Sequence, residues 1–210
     1  LSILLIVMMC LTACSQSHKQ EKQTEHTESF FAKDTYLLFT AYGENAEKEL
    51  LKVKEKIMEL EQKWSVTDEN SEIYAINHSG GQKVEVSEET NELISFALDM
   101  AEDTDGVLEP TIYPVLRVWG FTGEENRIPS ETEIQQLLQK VGYEKVEMDE
   151  SCVRLDADMM LDLGAVGKGY AGDVAADLLR ENGIISALLD IGGNIQAVGT
   201  KPDGSDWRLG

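Results

Sequence analysis

Cysteine, histidine and positive charge are scarce in this chain. Of 210 residues, three are cysteine and three histidine, and 18 Lys and Arg stand against 39 Asp and Glu. The net charge of −21 argues against a duplex nucleic-acid partner, because displacing phosphate counterions takes Lys and Arg. It also requires that any site for an anionic ligand be made locally, from backbone amides, a lysine or a metal. Cys10, Cys14 and Cys152 are too few for a disulfide framework, and no group of Cys and His has zinc spacing. There is no internal repeat. What the chain does have is an ordinary apolar fraction, 42%, enough to build one globular domain or two small ones.

The apolar run LSILLIVMMCLTAC is shorter than the ~20 residues that span a bilayer. It ends in Leu11-Thr12-Ala13-Cys14, and an apolar core followed by small residues and Cys resembles the bacterial lipoprotein signal. The expectation is a signal peptide over 1–13 whose start is missing, then a lipid on Cys14. A polar tether over 14–29 and a folded domain over 30–210 follow. That places the protein outside the cytoplasm, held at the bacterial cell membrane by its lipid. Cys152 sits in an alternating run and reads as a core or half-buried residue.

One strand is expected over about Thr35–Tyr42. Leu50, Val53, Ile57, Leu60 and Trp64 then recur at helical spacing. A short helix begins after Ser71, and another after Ser87 that stops at Gly106. Ser130 and Glu133 form a capping box for a further helix. Short strands are expected around Lys145–Met148, Val153–Leu155 and Met159–Leu163, then a helix over about Gly169–Glu181. The last stretch reads as three strands joined by Gly-Gly-Asn and Pro-Asp-Gly turns. Helices mixed with short, hairpin-joined strands predict an α+β fold, with mixed or antiparallel sheets flanked by helices.

The stretch LDLGAVGKGY, Leu161–Tyr170, carries the chemistry. A Walker loop needs four residues between its glycines and a hydroxyl after the lysine. Here two residues separate Gly164 from Gly167, and Gly169 follows Lys168. The dinucleotide G-x-G-x-x-G spacing fails too. The physics of an anion site remains. Glycines admit close backbone approach, a helix start offers free N–H groups, and Lys168 adds positive charge. Asp162 can accept hydrogen bonds or orient a metal's ligands. A pyrophosphate suits this better than a lone carboxylate; the bland alternative is a closely packed strand–helix turn with Lys168 in solvent.

The wider pattern resembles the ApbE-type flavin transferases (FAD:protein FMN transferases). The blocks that carry the resemblance are DTYLLFTAYG, WSVTDENSEIYAIN, TDGVLEPTIYPVLRVWGF, LDLGAVGKGYAGDVAADLLRENGI and ALLDIGGNIQAVG, in that order from about Phe31 to the end. The resemblance implies an ApbE-like fold and a Mg²⁺-dependent enzyme. It would split FAD, pass FMN to a Thr or Ser hydroxyl of an exported or membrane flavoprotein, and release AMP. It also implies the site. Asp162, Thr67, Lys33 and the segment Val107-Leu108-Glu109 would contact FAD. Lys168 would lie at the flavin nucleotide and serve catalysis, and the carbonyl of Ala165 would bind Mg²⁺. In phosphoryl chemistry of this kind, positioning and electrostatics do most of the work.

The chain departs from the family pattern at three positions. Glu109 stands where Asp is usual, Lys33 where Met is common, and Thr67 where an aromatic is common. The family's C-terminal third, with an acid and a Thr of the metal shell and a catalytic His, is expected beyond residue 210, and His18, His26 and His78 do not replace that His. Two rival readings share the site: an FAD pyrophosphatase giving FMN and AMP, and a non-catalytic flavin-binding lipoprotein. Asn77 and Asp190–Asn194 are further candidates for the cleft, although Gly192, Gly193 and Asn194 read more simply as turn residues. The sequence identifies no particular acceptor.

Overall fold

The computed structural model of the chain describes residues 24–32, 35–123 and 125–209. Cys14 and Lys33 lie outside them. Two sheets and six α-helices make up the described part, and no described helix is long and apolar enough to cross a membrane.

The larger sheet is antiparallel, in the order β1-β2-β6-β7. Strands β1 (Glu25–Ala32) and β2 (Thr35–Tyr42) form a hairpin, and β6 (Ser186–Ile191) and β7 (Asn194–Gly199) a second one. Strand β1 starts inside the stretch whose polarity reads as tether. One face of β1 is exposed, so only Phe30 and Ala32 are buried. Phe30 packs edge-on against Phe39 with ring centroids 5.3 Å apart. The β6–β7 loop is Gly192-Gly193, with φ of 59° and 90°. Two positive φ values match the right-handed twist of the flanking strands, and a Cβ on Gly192 would lie 2.4 Å from the Thr35 side chain.

Helix α1 (Ala46–Trp64) buries the predicted stripe Leu50, Val53, Ile57, Leu60 and Trp64. Each fully buried aliphatic side chain contributes about 1.5–3 kcal/mol. Helix α2 (Glu72–Asn77) is capped by Ser71, which accepts from Tyr74 N. Helix α3 (Glu88–Asp103) follows Ser87, whose hydroxyl donates to Glu72 instead of capping. Helix α4 (Tyr113–Trp119) ends at left-handed Gly120, and α5 (Glu131–Leu138) carries the full capping box of Ser130 and Glu133.

The smaller sheet has the order β3-β5-β4, from β3 (Val84–Glu85), β4 (Glu147–Met148) and β5 (Cys152–Arg154). Met159–Leu163 forms no strand, only an isolated bridge between Met160 and Ile112. Helix α6 spans Gly164–Glu181, so the glycine-rich stretch is its first turn and not a loop before it. Residues 200–209, expected to hold a third late strand, form none.

Two buried clusters result. One lies between the larger sheet, the first part of α1 and the second part of α6. The other gathers the end of α1, α2, α3, β5 and Leu161, Leu163 and Val166. Both α1 and α6 run from one cluster into the other.

Candidate functional site

The site is built around the start of α6. Two features fix the segment that leads into it. Buried Asn77 donates to the carbonyl of Leu161 (2.9 Å) and accepts from its N–H (2.7 Å). It thus satisfies both backbone groups of a fully buried residue, as a paired strand would. The N–H of Asp162 then donates to the carbonyl of Pro110 (2.8 Å). Held there, Asp162 accepts from Gly164 N–H through Oδ1 (2.8 Å).

The amides of Val166 and Gly167 both donate to the carbonyl of Leu163. Among the described residues, the amide of Ala165 has no acceptor and Lys168 makes no ion pair. Gly164, Ala165 and Gly169 are exposed and Lys168 is half-buried. An open amide, the positive end of an 18-residue helix and an unpaired lysine are together suited to hold an anion in an acidic protein.

Two depressions meet at this turn. A cleft of about 660 Å³ is lined by Trp64, Thr67, Phe121, Asp162, Gly167 and Lys168, among others. A groove of about 920 Å³ runs between α3 and α6 and includes Phe96, Leu108, Ala165, Tyr170 and Asp177. Gly164 and Lys168 line both. Tyr170, in the groove, donates to Glu92 (2.6 Å), and burial together with that carboxylate pushes its phenol well above the ordinary range. The bond fixes the Tyr170 side chain as part of the groove wall.

The structure thus brings together Asp162, Lys168 and Thr67 in the cleft, and Lys168, Ala165 and Leu108 in the groove. Thr67 is exposed on a loop stitched by Ser65, whose Oγ accepts from the amides of Thr67 and Asp68. Val107 is 88% exposed and lines neither depression. Glu109 lines neither as well. Its carboxylate accepts from Thr111 N (2.9 Å), Thr111 Oγ1 (2.7 Å) and Tyr143 N (3.1 Å). Together with the bond from Gly142 N–H to Thr111 Oγ1 (2.8 Å), those bonds tie the Thr104–Ile112 segment to residues 142–143, and that segment carries the Pro110 carbonyl beneath Asp162. The contribution of Asn77 is to position Leu161 and Asp162; the cleft wall does not include it.

Magnesium prefers a near-octahedral set of oxygen donors. Among the described residues no three His, Cys, Asp or Glu side chains converge, and Ala165 offers a single carbonyl. These residues do not by themselves make a magnesium shell.

Comparison with known proteins supplies the chain's relatives. The FAD:protein FMN transferase of Vibrio cholerae is 30% identical over 156 residues, 72% of this chain and 46% of that protein. The enzyme of the same name from Escherichia coli K12 is 30% identical over 131 residues, 59% of this chain and 37% of that protein. The chain therefore spans less than half the length of these curated relatives. The crystal structure of the ApbE protein from Thermotoga maritima superposes with a TM-score of 0.82 at 32% identity, over 87% of this chain and 61% of that one. The flavinyl transferase ApbE of Pseudomonas stutzeri, at 24% identity and a TM-score of 0.83, shares the fold. The α+β architecture, with helices around antiparallel sheets, is that of these structures. The model of the ApbE family matches residues 34–210, nearly the whole of the folded part, and the chain belongs to that family.

Proposed function

We propose that the protein is an FAD:protein FMN transferase. An acceptor Thr or Ser hydroxyl oxygen bonds to the phosphorus of the FMN half. The P–O bond to the bridging oxygen breaks, AMP leaves with that oxygen, and the hydroxyl proton is lost. Charge builds on the non-bridging oxygens, where fixed donors stabilise it without reorganising. In this chain the donors are the Lys168 ammonium and the open amide of Ala165. Asp162 holds the turn through Gly164, and Asn77 and Glu109 hold Asp162's surroundings.

One observation carries the reading: the unpaired lysine and open helix start form the ridge shared by two depressions, where a ligand with a charged middle and two large ends fits. The proposal includes magnesium dependence, with the Ala165 carbonyl as one donor. It also includes an exported flavoprotein acceptor and membrane anchoring through a lipid on Cys14; these rest on the resemblance and the signal-like N-terminus.

The test incubates the protein with FAD, Mg²⁺ and a flavoprotein subunit bearing a target Thr. Covalent flavin on the acceptor with equimolar AMP supports transfer. Free FMN and AMP without labelled protein would replace it by an FAD pyrophosphatase. Tight FAD binding with no AMP would replace it by a flavin-binding lipoprotein. Lys168→Ala and Asp162→Ala should each weaken FAD binding by roughly tenfold, as expected for losing a charge-assisted contact or the cap that sets the turn; unchanged affinity in both removes the site assignment.

A further inference from the structure

We infer that Phe121 is the stacking platform for a planar ring of the dinucleotide, an inference that rests on the flavin-transfer reading of the cleft. Two aromatic residues line the cleft, Trp64 and Phe121. Trp64 is 6% exposed and belongs to a hydrophobic cluster. Its indole N–H donates to Thr90 Oγ1 (3.0 Å), and its ring meets Tyr170 nearly edge-on, with centroids 5.6 Å apart. Trp64 is thus part of the wall. Phe121 is 72% exposed.

An exposed apolar side chain is by itself ordinary. Phe121 differs because the backbone on both sides of it is fixed. Gly120 has φ of 85°, and a Cβ there would lie 2.7 Å from the carbonyl oxygen of Glu125 and 2.8 Å from Asn126 Cα. The returning chain therefore lies directly against Gly120. Phe121 N–H donates to the carbonyl of Leu116, and Arg127 N–H to that of Trp119. On the other side, Thr122 Oγ1 sits 3.0 Å from the hydroxyl of Tyr113, a buried residue. The backbone that carries the ring into the cleft lining is held in place on both sides.

The same cleft holds Asp162, Gly164 and Lys168, which serve the charged middle of a dinucleotide and offer nothing to its rings. Flavin and adenine are both planar and bind well against an aromatic face. The open ring of Phe121, on a fixed stretch of backbone, completes the site in that respect.

The experiment titrates FAD, FMN, ADP and inorganic pyrophosphate against the unaltered protein and against Phe121→Ala, Phe121→Leu and Phe121→Trp. Because the side chain is largely exposed, the variants should melt as the parent does. Ala and Leu should weaken FAD binding by on the order of tenfold, since Leu keeps apolar bulk but has no π-face, and Trp should restore it. A matching loss with FMN assigns the isoalloxazine ring to Phe121, and one with ADP assigns adenine. An equal loss with pyrophosphate would mean that the phosphate turn had moved, and overturns the inference. FAD binding that Ala and Leu leave within about twofold, well short of the cost of losing a stacked ring, overturns it alone. Failure of the unaltered protein to bind FAD overturns the flavin-transfer reading and this inference with it.

Discussion

Replacing Asn77 should damage the site from a distance. Its side-chain amide is the partner of both backbone groups of Leu161, at 2.7 and 2.9 Å, and Leu161 is fully buried. In Asn77→Ala both groups lose their partner, and each orphaned group costs about 1–3 kcal/mol. The sum is about 2–5 kcal/mol after partial relaxation. For a chain of this size that lowers the melting temperature by roughly 4–20 °C. Asn77→Asp is the sharper variant. An ionised carboxylate still accepts from Leu161 N–H but faces the Leu161 carbonyl with an oxygen that cannot donate. Protonated, it can reproduce both bonds. Burial and that carbonyl push the new Asp's folded pKa above its unfolded value. The neutral form therefore supports the fold, and stability is lost as pH rises through the raised pKa. Urea melts of Asn77→Asp, measured relative to the parent, should recover as pH falls from about 8 toward about 5, where the acid takes up its proton. A loss under about 1 kcal/mol in Asn77→Ala, less than one orphaned group costs, or a pH-independent deficit in Asn77→Asp, refutes the reasoning.

Other expected outcomes follow from single contacts. Hydrogen bonds from Lys56, then Lys63, hold the Glu89 carboxyl down at about 2 from its ordinary 4.5. A depressed carboxyl stabilises above its unfolded pKa, so Glu89→Gln should cost on the order of 1 kcal/mol at neutral pH. The gap to the parent should close as pH falls from 4.5 to about 2, and a gap that persists there contradicts the assignment. A Cβ on Gly172 would sit 3.1 Å from Ile191 Cδ1 and 3.6 Å from Gln196 Cβ. Gly172→Ala should be near neutral, with helix propensity offsetting a flexible contact, whereas Gly172→Val should cost about 1–3 kcal/mol by overpacking; equal melts for the two would be inconsistent with that close approach. In Gly164→Ala the new Cβ would fall 2.9 Å from Asp162 Oδ1. The carboxylate has to leave the Gly164 amide, at about 1 kcal/mol, and FAD affinity should drop in parallel; calorimetry showing unchanged affinity would separate Asp162 from the ligand.

What the sequence revealed was set by local periodicity and local caps. The stripe from Leu50 to Trp64 and the box of Ser130 and Glu133 lie within one or two turns, and both stand in the structure as read. Strand β1 was hidden because Glu25, His26, Thr27, Glu28 and Ser29 are polar on both faces, leaving too few apolar residues to signal a strand. The start of α6 was hidden because three glycines in six residues are poor helix formers. Burial of Val166 and Gly167 holds the helix there, with the local bond from Gly164 N–H to Asp162. Glu109 and Asn77 could not be placed by spacing at all. The donors that occupy Glu109 include Tyr143 N, and Asn77 acts on Leu161, each far away along the chain. Asp162, Gly164 and Lys168 were legible as one group because they are nearly contiguous in the chain, and all three line the cleft.

The cleft has two electrical ends, and under the proposed function these would decide how the dinucleotide lies in it. Helix α1 finishes at Trp64, so its carbonyl end, with Glu61, borders the cleft, and helix α6 begins there with its amide end and Lys168. The first end is negative and the second positive. A pyrophosphate is repelled by one and held by the other. Its uncharged ring is therefore left to the side formed by Ser65, Val66, Thr67 and Phe121, where it is not opposed by charge. Long-range attraction does not help, since a chain of net charge −21 repels FAD at a distance. Capture has to rest on short-range donors in fixed positions. That is why so much of the surrounding structure, from Asn77 through Pro110 to Asp162, is devoted to holding one turn still.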